Sequence, residues 1–427
     1  MTNTGIRLND AYGVHRAVES VARDSYGRLL AIIAARSYDL AAAEDALGDA
    51  FHAALETWPT AGIPDRPEAW LLTAARRKLI DGARHARIVA DAIQTLIAMA
   101  QEAEQTIDGD VVYPDERLKL LFLCAHPAID VSVRTPLLLQ TVLGLDAARI
   151  ASAFLVQPTA MGQRLSRTKA KIRDARIKFD VPGSAELPLR LDAVLEAIYA
   201  AYGSGWDDVA GADARRNGLA LEAIDLGRLL LQLMPAEPEA QGLLALMLYC
   251  ESRRDARRGP SGEYVPLSDQ DVLLWSRPMI AEADRLVVAA SQAGRLGRFQ
   301  FEAAIQSAHA QRSVTGITDW EAIAVMYEAR VSLAPTIGAM VSHAAAVTEA
   351  RGPAAGWELL ETIPADAVKS YQPYWALTAH LLKRMGRANE AGNAYSRAIG
   401  LCEDQSMREF LKRQAPVESK RDRGLPD

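Results

Sequence analysis

Apolar residues recur at spacings of three and four along most of the chain, and strict alternation of apolar and polar positions is scarce. This spacing is the period of an α-helix, whereas alternation would indicate β-strands. The early segments with this pattern include one that ends near Tyr38, a second from Ala41 to Trp58 and a third from Pro67 to Arg87. We therefore predict an all-α fold.

The sequence after Leu189 continues as helix after helix. Three of these helices end alike, at Leu230–Pro235, Arg330–Pro335 and Ser396–Cys402. Pro235 and Pro335 are 100 residues apart, and Ala334 and Cys402 are 68 apart. Both separations are close to multiples of about 34 residues, the period of tetratricopeptide (TPR) helix pairs. We predict TPR-like packing, although alanine-rich helical hairpins in general have the same register.

Composition sets limits on function. The 427 residues carry a net charge of −6, so any nucleic-acid contact must come from local basic patches. Three widely separated cysteines exclude a disulfide scaffold and a CxxC-type zinc site, and they fit a reducing cytosol. No apolar run is long enough for a membrane span, and the N-terminus has no cationic-then-apolar signal. We expect a soluble cytoplasmic protein without a membrane partner.

Charge divides the first part of the chain sharply. Between Ile88 and Glu116 there are seven acidic residues and no lysine or arginine. Between Thr159 and Lys178 there are seven lysines and arginines and one aspartate. The stretch from Asp180 to Pro188 contains proline and glycine without periodic apolar positions, and it predicts a linker and the main domain boundary.

A helix-turn-helix is predicted around the basic segment. A short helix from Asp146 to Phe154, with Ile150, Ala151 and Phe154 on one face, is followed by a tight connection and a second helix from Thr159. The apolar side chains of the second helix, Met161, Leu165 and Ile172, are expected to point inward. Such a helix can enter a major groove, where Arg, Gln and Ser read bases and other cations contact phosphates.

The predicted duplex-binding residues are here called the duplex set: Thr159, Gln163, Arg164, Ser166, Arg167, Lys169 and Lys171. The alternative is a solvated amphipathic helix with a basic face. A charge of +6 over twenty residues in an acidic protein favours the first interpretation.

A second basic cluster lies in the helix that begins at Pro67, and Trp58 and Trp70 flank its start. Aromatic rings next to cations suit single-stranded DNA, because bases stack on the rings while the cations contact the backbone. Either tryptophan can equally be a core residue. The candidates, here called the strand set, are Trp70, Arg76, Arg77, Lys78 and Arg84.

Several segments of the chain, taken together, resemble a bacterial RNA polymerase sigma factor of the extracytoplasmic-function (ECF) type. Glu44-Asp-Ala-Leu-Gly-Asp-Ala-Phe51 is similar to region 2.2, Pro67 to Asp81 to regions 2.3 and 2.4, and Leu145 to Ile172 to region 4.2. Asp115 to Pro127 is similar to the start of region 4 in a subgroup that carries a large TPR-like C-terminal extension. Segments such as Gly294 to Ala310 resemble that extension.

The resemblance implies a domain order and a set of partners. The implied domains are region 2 (1–88), an acidic linker (89–114), region 4 (115–180), a TPR-like helical extension (189–415) and a disordered tail (416–427). Region 2 would bind core polymerase and the −10 element, and region 4 would read the −35 element. Core RNA polymerase, through its β′ coiled coil and β flap, and promoter DNA are the implied partners.

The resemblance also assigns roles to the acidic helix. The residues implied to dock on the β′ coiled coil, here called the polymerase set, are Glu44, Asp45, Asp49 and Phe51. Without the resemblance, these carboxylates would be an ordinary solvated helix face. The family usually has Gln where Gly48 stands. The loop from Pro59 to Arg66 would hold a base flipped out of the −10 element, or it is only a turn.

The second half offers no catalytic or cofactor-binding set at workable spacing, so we expect neither an enzyme, a metal site nor a cofactor. His309, His343 and His380 are isolated on helices. The irregular stretch from Arg257 to Asp271 is either a regulatory contact or a loop. A peptide or intramolecular partner is expected for this half. The alternatives to a sigma factor are a helix-turn-helix regulator that acts without polymerase, with a TPR-type sensor or interaction domain, and a helical scaffold.

Overall fold

The computed structural model describes residues 4–37, 40–86, 113–154, 156–174, 182–206 and 214–416. Within these ranges every regular element is helical, apart from an isolated bridge between Arg258 and Tyr264. The prediction of an all-α fold is therefore confirmed. The chain divides into two compact units, Met1–Met234 and Pro235–Asp427.

Three long helices begin the first unit: α1 (Thr4–Ser37), α2 (Leu40–Ala61) and α3 (Pro67–Ala86). They pack on one another around Leu29, Leu47 and Leu71, which are 0–1% exposed. The predicted loop from Pro59 to Arg66 needs a correction, because α2 continues to Ala61. The helix ends where the Gly62 amide donates to the Trp58 carbonyl at 3.0 Å, and Gly62 has the positive φ of 85° that glycine tolerates there.

Four shorter helices follow: α4 (Glu116–Cys124), α5 (Val131–Thr141), α6 (Ala147–Ala153) and α7 (Pro158–Asp174). Asp115 and Asp130 cap the first two of them, because their carboxylates accept from the amides of Arg117 and Ser132 at 2.7 and 2.8 Å. The apolar faces of these helices, which include Phe122 and Leu138, are fully buried.

Two further helices, α8 (Leu187–Trp206) and α9 (Ala214–Leu233), complete the first unit. The Arg190 guanidinium of α8 donates to the Phe122 carbonyl of α4 at 3.0 Å. Arg117 of α4 donates to Glu222 of α9 at 3.0 Å. The division into compact units therefore falls at Met234, after these helices, whereas the sequence places the main boundary before them. The functional domain limits stay predictions.

The second unit is a succession of helices joined by short connections, apart from the long irregular stretch between Glu251 and Arg277. In chain order they are α10 (Pro238–Glu251), α11 (Arg277–Gln292), α12 (Arg298–Ala310), α13 (Arg312–Thr315), α14 (Trp320–Leu333), α15 (Ile337–Arg351), α16 (Pro353–Glu361), α17 (Ala365–Val368), α18 (Gln372–Arg384), α19 (Ala388–Leu401) and α20 (Gln405–Gln414). Neighbours along the chain pack as hairpins, for example α18 with α19 and α14 with α15. The TPR register of these hairpins stays a prediction.

The three similar helix ends in the sequence correspond to real ends at Leu233, Leu333 and Leu401. Small residues let the second-unit helices approach closely. A Cβ atom at Gly242 of α10 would lie 2.7 Å from the Gln300 backbone nitrogen of α12. On α19, Ala391 and Ala398 are fully buried.

The irregular stretch between α10 and α11 is an ordered loop that is fixed within the second unit. Arg312 donates to the carbonyls of Leu267, Ser268 and Gln270 at 2.6–2.8 Å. Arg258 pairs with Asp404, which caps α20, at 2.7 Å. The loop therefore connects α13 with the last helix, which supports the interpretation as a structural loop.

Some predicted segments lie outside the described residues. Of the acidic linker 89–114, only Tyr113 and Pro114 are described, and of the tail 416–427 only Pro416. None of the described helices combines the length and the apolar character that a bilayer crossing requires.

Candidate nucleic-acid interface

The helix α7 carries the duplex set, and its inner face forms as the sequence predicts. Met161, Leu165 and Ile172 are 1%, 2% and 5% exposed, and they fix the helix on α6 and α5. Pro158 begins the helix, where its missing N–H leaves no hydrogen bond unmade. On α6, Ile150 and Ala151 are buried as predicted. The prediction that the helix extends to Phe154 is wrong, because α6 ends at Ala153. The Phe154 ring is 37% exposed.

Most of the duplex set lies on the opposite face of α7. The exposed members are Thr159, Gln163, Arg164, Ser166, Arg167 and Lys171. The Arg167 Nε atom donates to the Gln163 carbonyl at 3.2 Å, so this guanidinium lies along the helix surface. A contiguous polar and cationic face of this kind can contact phosphates and base edges together.

Lys169 is the exception within the duplex set. Its side chain is only 17% exposed, and its ammonium forms a hydrogen-bonded ion pair with the Glu44 carboxylate of α2. The Glu44 side chain is 16% exposed. The structure thus joins one member of the duplex set to one member of the polymerase set, which nothing in the sequence spacing indicated.

The remaining polymerase set lies along α2. Asp45 and Asp49 are exposed, and Asp49 forms an ion pair of 3.5 Å with Lys78 of α3. Phe51 is half-buried and stacks on Tyr26 of α1, with ring centroids 6.3 Å apart. Burial and the nearby carboxylates of Glu44 and Asp45 raise the pKa of Tyr26 to about 12, so the phenol stays neutral.

The strand set on α3 is only partly exposed. The Trp70 ring packs edge-on against Trp58, with ring centroids 5.5 Å apart. Trp58 is 1% exposed and belongs to the core, whereas Trp70 is half-buried. Arg77 and Lys78 are exposed. Arg76 is half-buried, and its Nε atom has no hydrogen-bond partner among the described residues.

Arg84 completes the strand set. It lies in the last turns of α3, but its side chain is outside the described residues. Sequence reasoning missed the contribution of α1. Tyr26 packs on Phe51, and the Ser25 hydroxyl donates to the Glu68 carboxylate at the start of α3. The apolar spacing in this part of the sequence gave no signal for either contact.

The histidines of the second unit do not form a site. His309 is 8% exposed and packs edge-on against Trp320, with ring centroids 5.3 Å apart. Burial and the guanidinium groups of Arg253 and Arg312 lower the pKa of His309 to about 4. In the described part of the chain, no three His, Cys, Asp or Glu side chains come together as metal ligands.

Comparison with known proteins gives three matches. The Sigma-70 region 2 family matches residues 21–88, which include α2, α3 and part of α1. A family of unknown function (DUF6596) matches residues 190–291, from α8 to α11. An uncharacterized protein of Rhizobium meliloti is 37% identical over 412 residues, covering 95% of this chain and 96% of that protein. No solved structure matches the chain. The polymerase and strand sets both fall within the region 2 match.

Proposed function

Because this chain belongs to one family with the Rhizobium meliloti protein and matches Sigma-70 region 2 over residues 21–88, we propose that it is an ECF-type sigma factor with its own regulatory C-terminal extension. Its role in transcription initiation involves core RNA polymerase and promoter DNA. In the proposed mechanism, α2 docks on the β′ coiled coil, the helices of residues 115–180 contact the β flap, and the cytoplasm is the place of action.

The observation that carries the proposal is the exposed cationic face of α7 downstream of a region 2 match. Gln163, Arg164 and Arg167 face solvent, while Met161 and Leu165 anchor the helix. In the proposal this face reads the −35 duplex. The strand set on α3, about 90 residues earlier in the chain, stabilises the opened −10 element.

Sequence specificity is proposed to come from few residues. Gln163, Arg164, Ser166 and Arg167 can donate to base edges in the major groove, and we propose that the exposed Thr159 and Lys171 contact phosphates. On α3, the proposed stacking surface is the exposed part of Trp70, since Trp58 is fixed in the core.

Reconstitution tests the central claim. The full chain is mixed with core RNA polymerase and genomic fragments, and specific start sites are sought by sequencing run-off transcripts. Initiation at defined sites that depends on both components supports a sigma factor. A helix-turn-helix regulator would instead bind duplex DNA without core polymerase, and a scaffold would do neither.

Strand opening provides a second measurement on the same system. Arg77→Ala is expected to reduce opening of the −10 element, seen as fewer reactive unpaired thymines, because an exposed cation near the single strand is lost. Arg77 is a cleaner choice than Arg76, whose half-buried side chain contributes to packing. Arg16→Ala on α1 is the matched control, since Arg16 is also exposed but lies outside the strand set. Unchanged opening would mean that α3 does not read the −10 element.

The second unit is proposed to be a TPR-like domain that replaces a separate anti-sigma protein. Removal of residues 235–427 is expected to alter promoter output or core affinity. Truncation at residue 189 would be unsuitable, because Arg190 on α8 supports α4 through the Phe122 carbonyl. Circular dichroism establishes that the shortened chain remains helical. Unchanged promoter output together with unchanged core affinity would reject a modulating role.

A further inference from the structure

The ion pair between Lys169 and Glu44 joins parts of the chain that are 125 residues apart. Both side chains are more than four-fifths buried, so neither charge is well solvated while the pair is formed. Separating the two while either stays buried would leave an uncompensated charge, which is strongly unfavourable. The pair therefore favours two states: joined, or apart with both groups in water.

The contact extends beyond this one pair. The Tyr26 ring of α1 lies against Gly144, in the connection between α5 and α6, and a Cβ atom at Gly144 would be 3.5 Å from the ring. Helix α1 also packs on α4, and α2 packs on α7. The region 2 helices and the helices of residues 116–174 thus share one interface, with the ion pair within it.

A buried thiol lies close to the ion pair. Cys124, at the end of α4, is 0% exposed, and the Thr141 hydroxyl contacts its sulfur at 3.8 Å. Burial raises the pKa of Cys124 to about 12, and the charges of Glu44 and Lys169 both act on this group. The ion pair therefore adjoins the core of the second helical group and is not a contact between two solvated surface side chains.

This interface uses groups that the proposed function needs elsewhere. Glu44 belongs to the polymerase set and Lys169 to the duplex set. While they bind each other, the Glu44 carboxylate cannot pair with a polymerase cation and the Lys169 ammonium cannot contact a DNA phosphate. Tyr26, on which the Glu44 charge acts, stacks on Phe51 of the polymerase set.

We propose that the free chain adopts a closed, autoinhibited form, in which α7 is docked on α2 through Lys169 and Glu44, and that core RNA polymerase opens it by competing for α2. The proposal rests on the function proposed above. It assigns to Lys169 a role distinct from the other six members of the duplex set. In the free chain, Lys169 pairs with Glu44 on the polymerase-binding helix α2. Lys169 becomes available to DNA only after α2 has bound core RNA polymerase.

A closed form lowers apparent affinity in a calculable way. The apparent dissociation constant equals the intrinsic one divided by the fraction of open molecules. Minor states of two-state proteins are commonly populated at about 0.1–10%. If the open form is about 10% of the free chain, complete opening would tighten core binding about tenfold.

The closed contact can be measured in the free full-length chain, without polymerase. Spin labels are attached through His52→Cys on α2 and Ala160→Cys on α7, two exposed positions, and the distance between them is measured by pulsed electron resonance. We expect one narrow distribution for the parent chain and a broader, longer one for Lys169→Glu. The exchanged pair Glu44→Lys with Lys169→Glu is expected to restore the narrow distribution.

Arg16→Glu is the matched control. It is the same reversal of charge in the first unit, but Arg16 is exposed on α1 and belongs to none of the three sets. Its distance distribution should equal that of the parent chain. Identical distributions for the parent and Lys169→Glu would overturn the closed form, as would an equal effect of Arg16→Glu.

Core affinity, measured in the absence of DNA, tests the regulatory consequence. Lys169→Ala is expected to bind core polymerase about tenfold more tightly, and Arg16→Ala within about twofold of the parent. Opening in the distance measurement without tighter core binding would overturn autoinhibition. If no form of the chain binds core polymerase, the proposed function fails, while the distance measurement still decides whether the internal contact exists.

Discussion

The arginines of α7 in the first unit and the buried arginines of the second unit lie in opposite environments. On α7 in the first unit, Arg164 and Arg167 are exposed to solvent. In the second unit, Arg330 is 1% exposed and donates to the Glu302 carboxylate and to the Ala334 carbonyl, and Arg253 is 7% exposed. An exposed guanidinium can neutralise a phosphate, whereas the Arg330 guanidinium donates to Glu302 and Ala334 of its own chain.

The difference indicates how similar compositions can have different uses. In the second unit, arginines fix helix ends and the loop before α11, as Arg312 does with three carbonyls. In the first unit, most cations of α7 that the structure describes are exposed and can contact phosphates. On α7 the paired Lys169 is an exception, and elsewhere in this unit Arg190 is only 5% exposed; both connect separate helices.

The largest expected effect is on the buried arginine of the second unit. Arg330→Met should lower the free energy of unfolding of this unit by about 3 kcal/mol, because Glu302 loses a buried partner and the Ala334 carbonyl loses its donor. The estimate is at the low end for such pairs, since Arg298 also contacts Glu302 at 3.1 Å. Urea denaturation, with hydrogen exchange of α12 and α14, measures the change.

The matched control is Arg295→Met, since the Arg295 side chain is 67% exposed. Its partner Glu237 is only 14% exposed, but water solvates and screens the Arg295 charge, so a change below about 1 kcal/mol is expected. Equal effects of the two substitutions would contradict the contrast between buried and exposed arginines.

The next effect is a pH dependence of the second unit. The pKa of His309 is lowered from 6.5 to about 4 by burial, Arg253 and Arg312, so the unfolded chain binds the extra proton first as pH falls. Stability is therefore lost on acidification, by roughly 2 kcal/mol between about pH 7 and about pH 5. His309→Gln should flatten this slope in urea denaturation. If the free energy of unfolding of the variant still falls as steeply on acidification, other titratable groups cause the pH dependence.

Removal of an exposed arginine should affect binding but not folding. Arg164→Glu is expected to weaken binding of the −35 duplex about tenfold and to make the dependence on salt less steep, because a phosphate or base contact is lost. Titration of labelled duplex with the polymerase complex at several salt concentrations measures both. Arg295→Glu, the same charge change in the second unit, should leave the affinity within about twofold. An equal loss of affinity in both variants would mean that the net charge of the chain, and not a contact of Arg164, explains the effect.

The smallest expected effect compares two glycines. At Gly48 of α2, an added Cβ atom meets nothing within 4 Å, so Gly48→Ala should stabilise the first unit by about 0.5–1 kcal/mol. Gly242→Ala should destabilise the second unit, because its Cβ would lie 2.7 Å from the Gln300 nitrogen. Thermal unfolding measures both. The comparison fails if the two substitutions have the same sign.

Much of the local structure was predictable. The spacing of Met161, Leu165 and Ile172 predicted which face of α7 is buried, and the similar sequences before Pro235 and Pro335 predicted two helix ends. The position of Phe154 was not predictable from spacing alone. The helix ends one residue before it, and termination depends on the connection that follows as well as on apolar periodicity.

The candidate site was predictable as separate surfaces and not as an arrangement. The exposed position of Arg164 agrees with the outward face predicted for it. The contacts of Tyr26 with Phe51 and Gly144 could not be predicted from the sequence, since these residues come from distant segments. For the same reason, the sequence placed the main boundary before α8, although Arg190 ties that helix to α4.

The sequence by itself determined that the chain is helical, which sides of its helices are apolar and where positive charge accumulates. These properties depend on spacings within a few residues, where backbone geometry is regular. Only the tertiary structure decided which charges meet: Lys169 and Glu44 across 125 residues, and Arg330 with Glu302. The physical reason is that an ion pair depends on the distance between two groups in space. Along the chain, a cation that will be buried and one that will remain in water look the same.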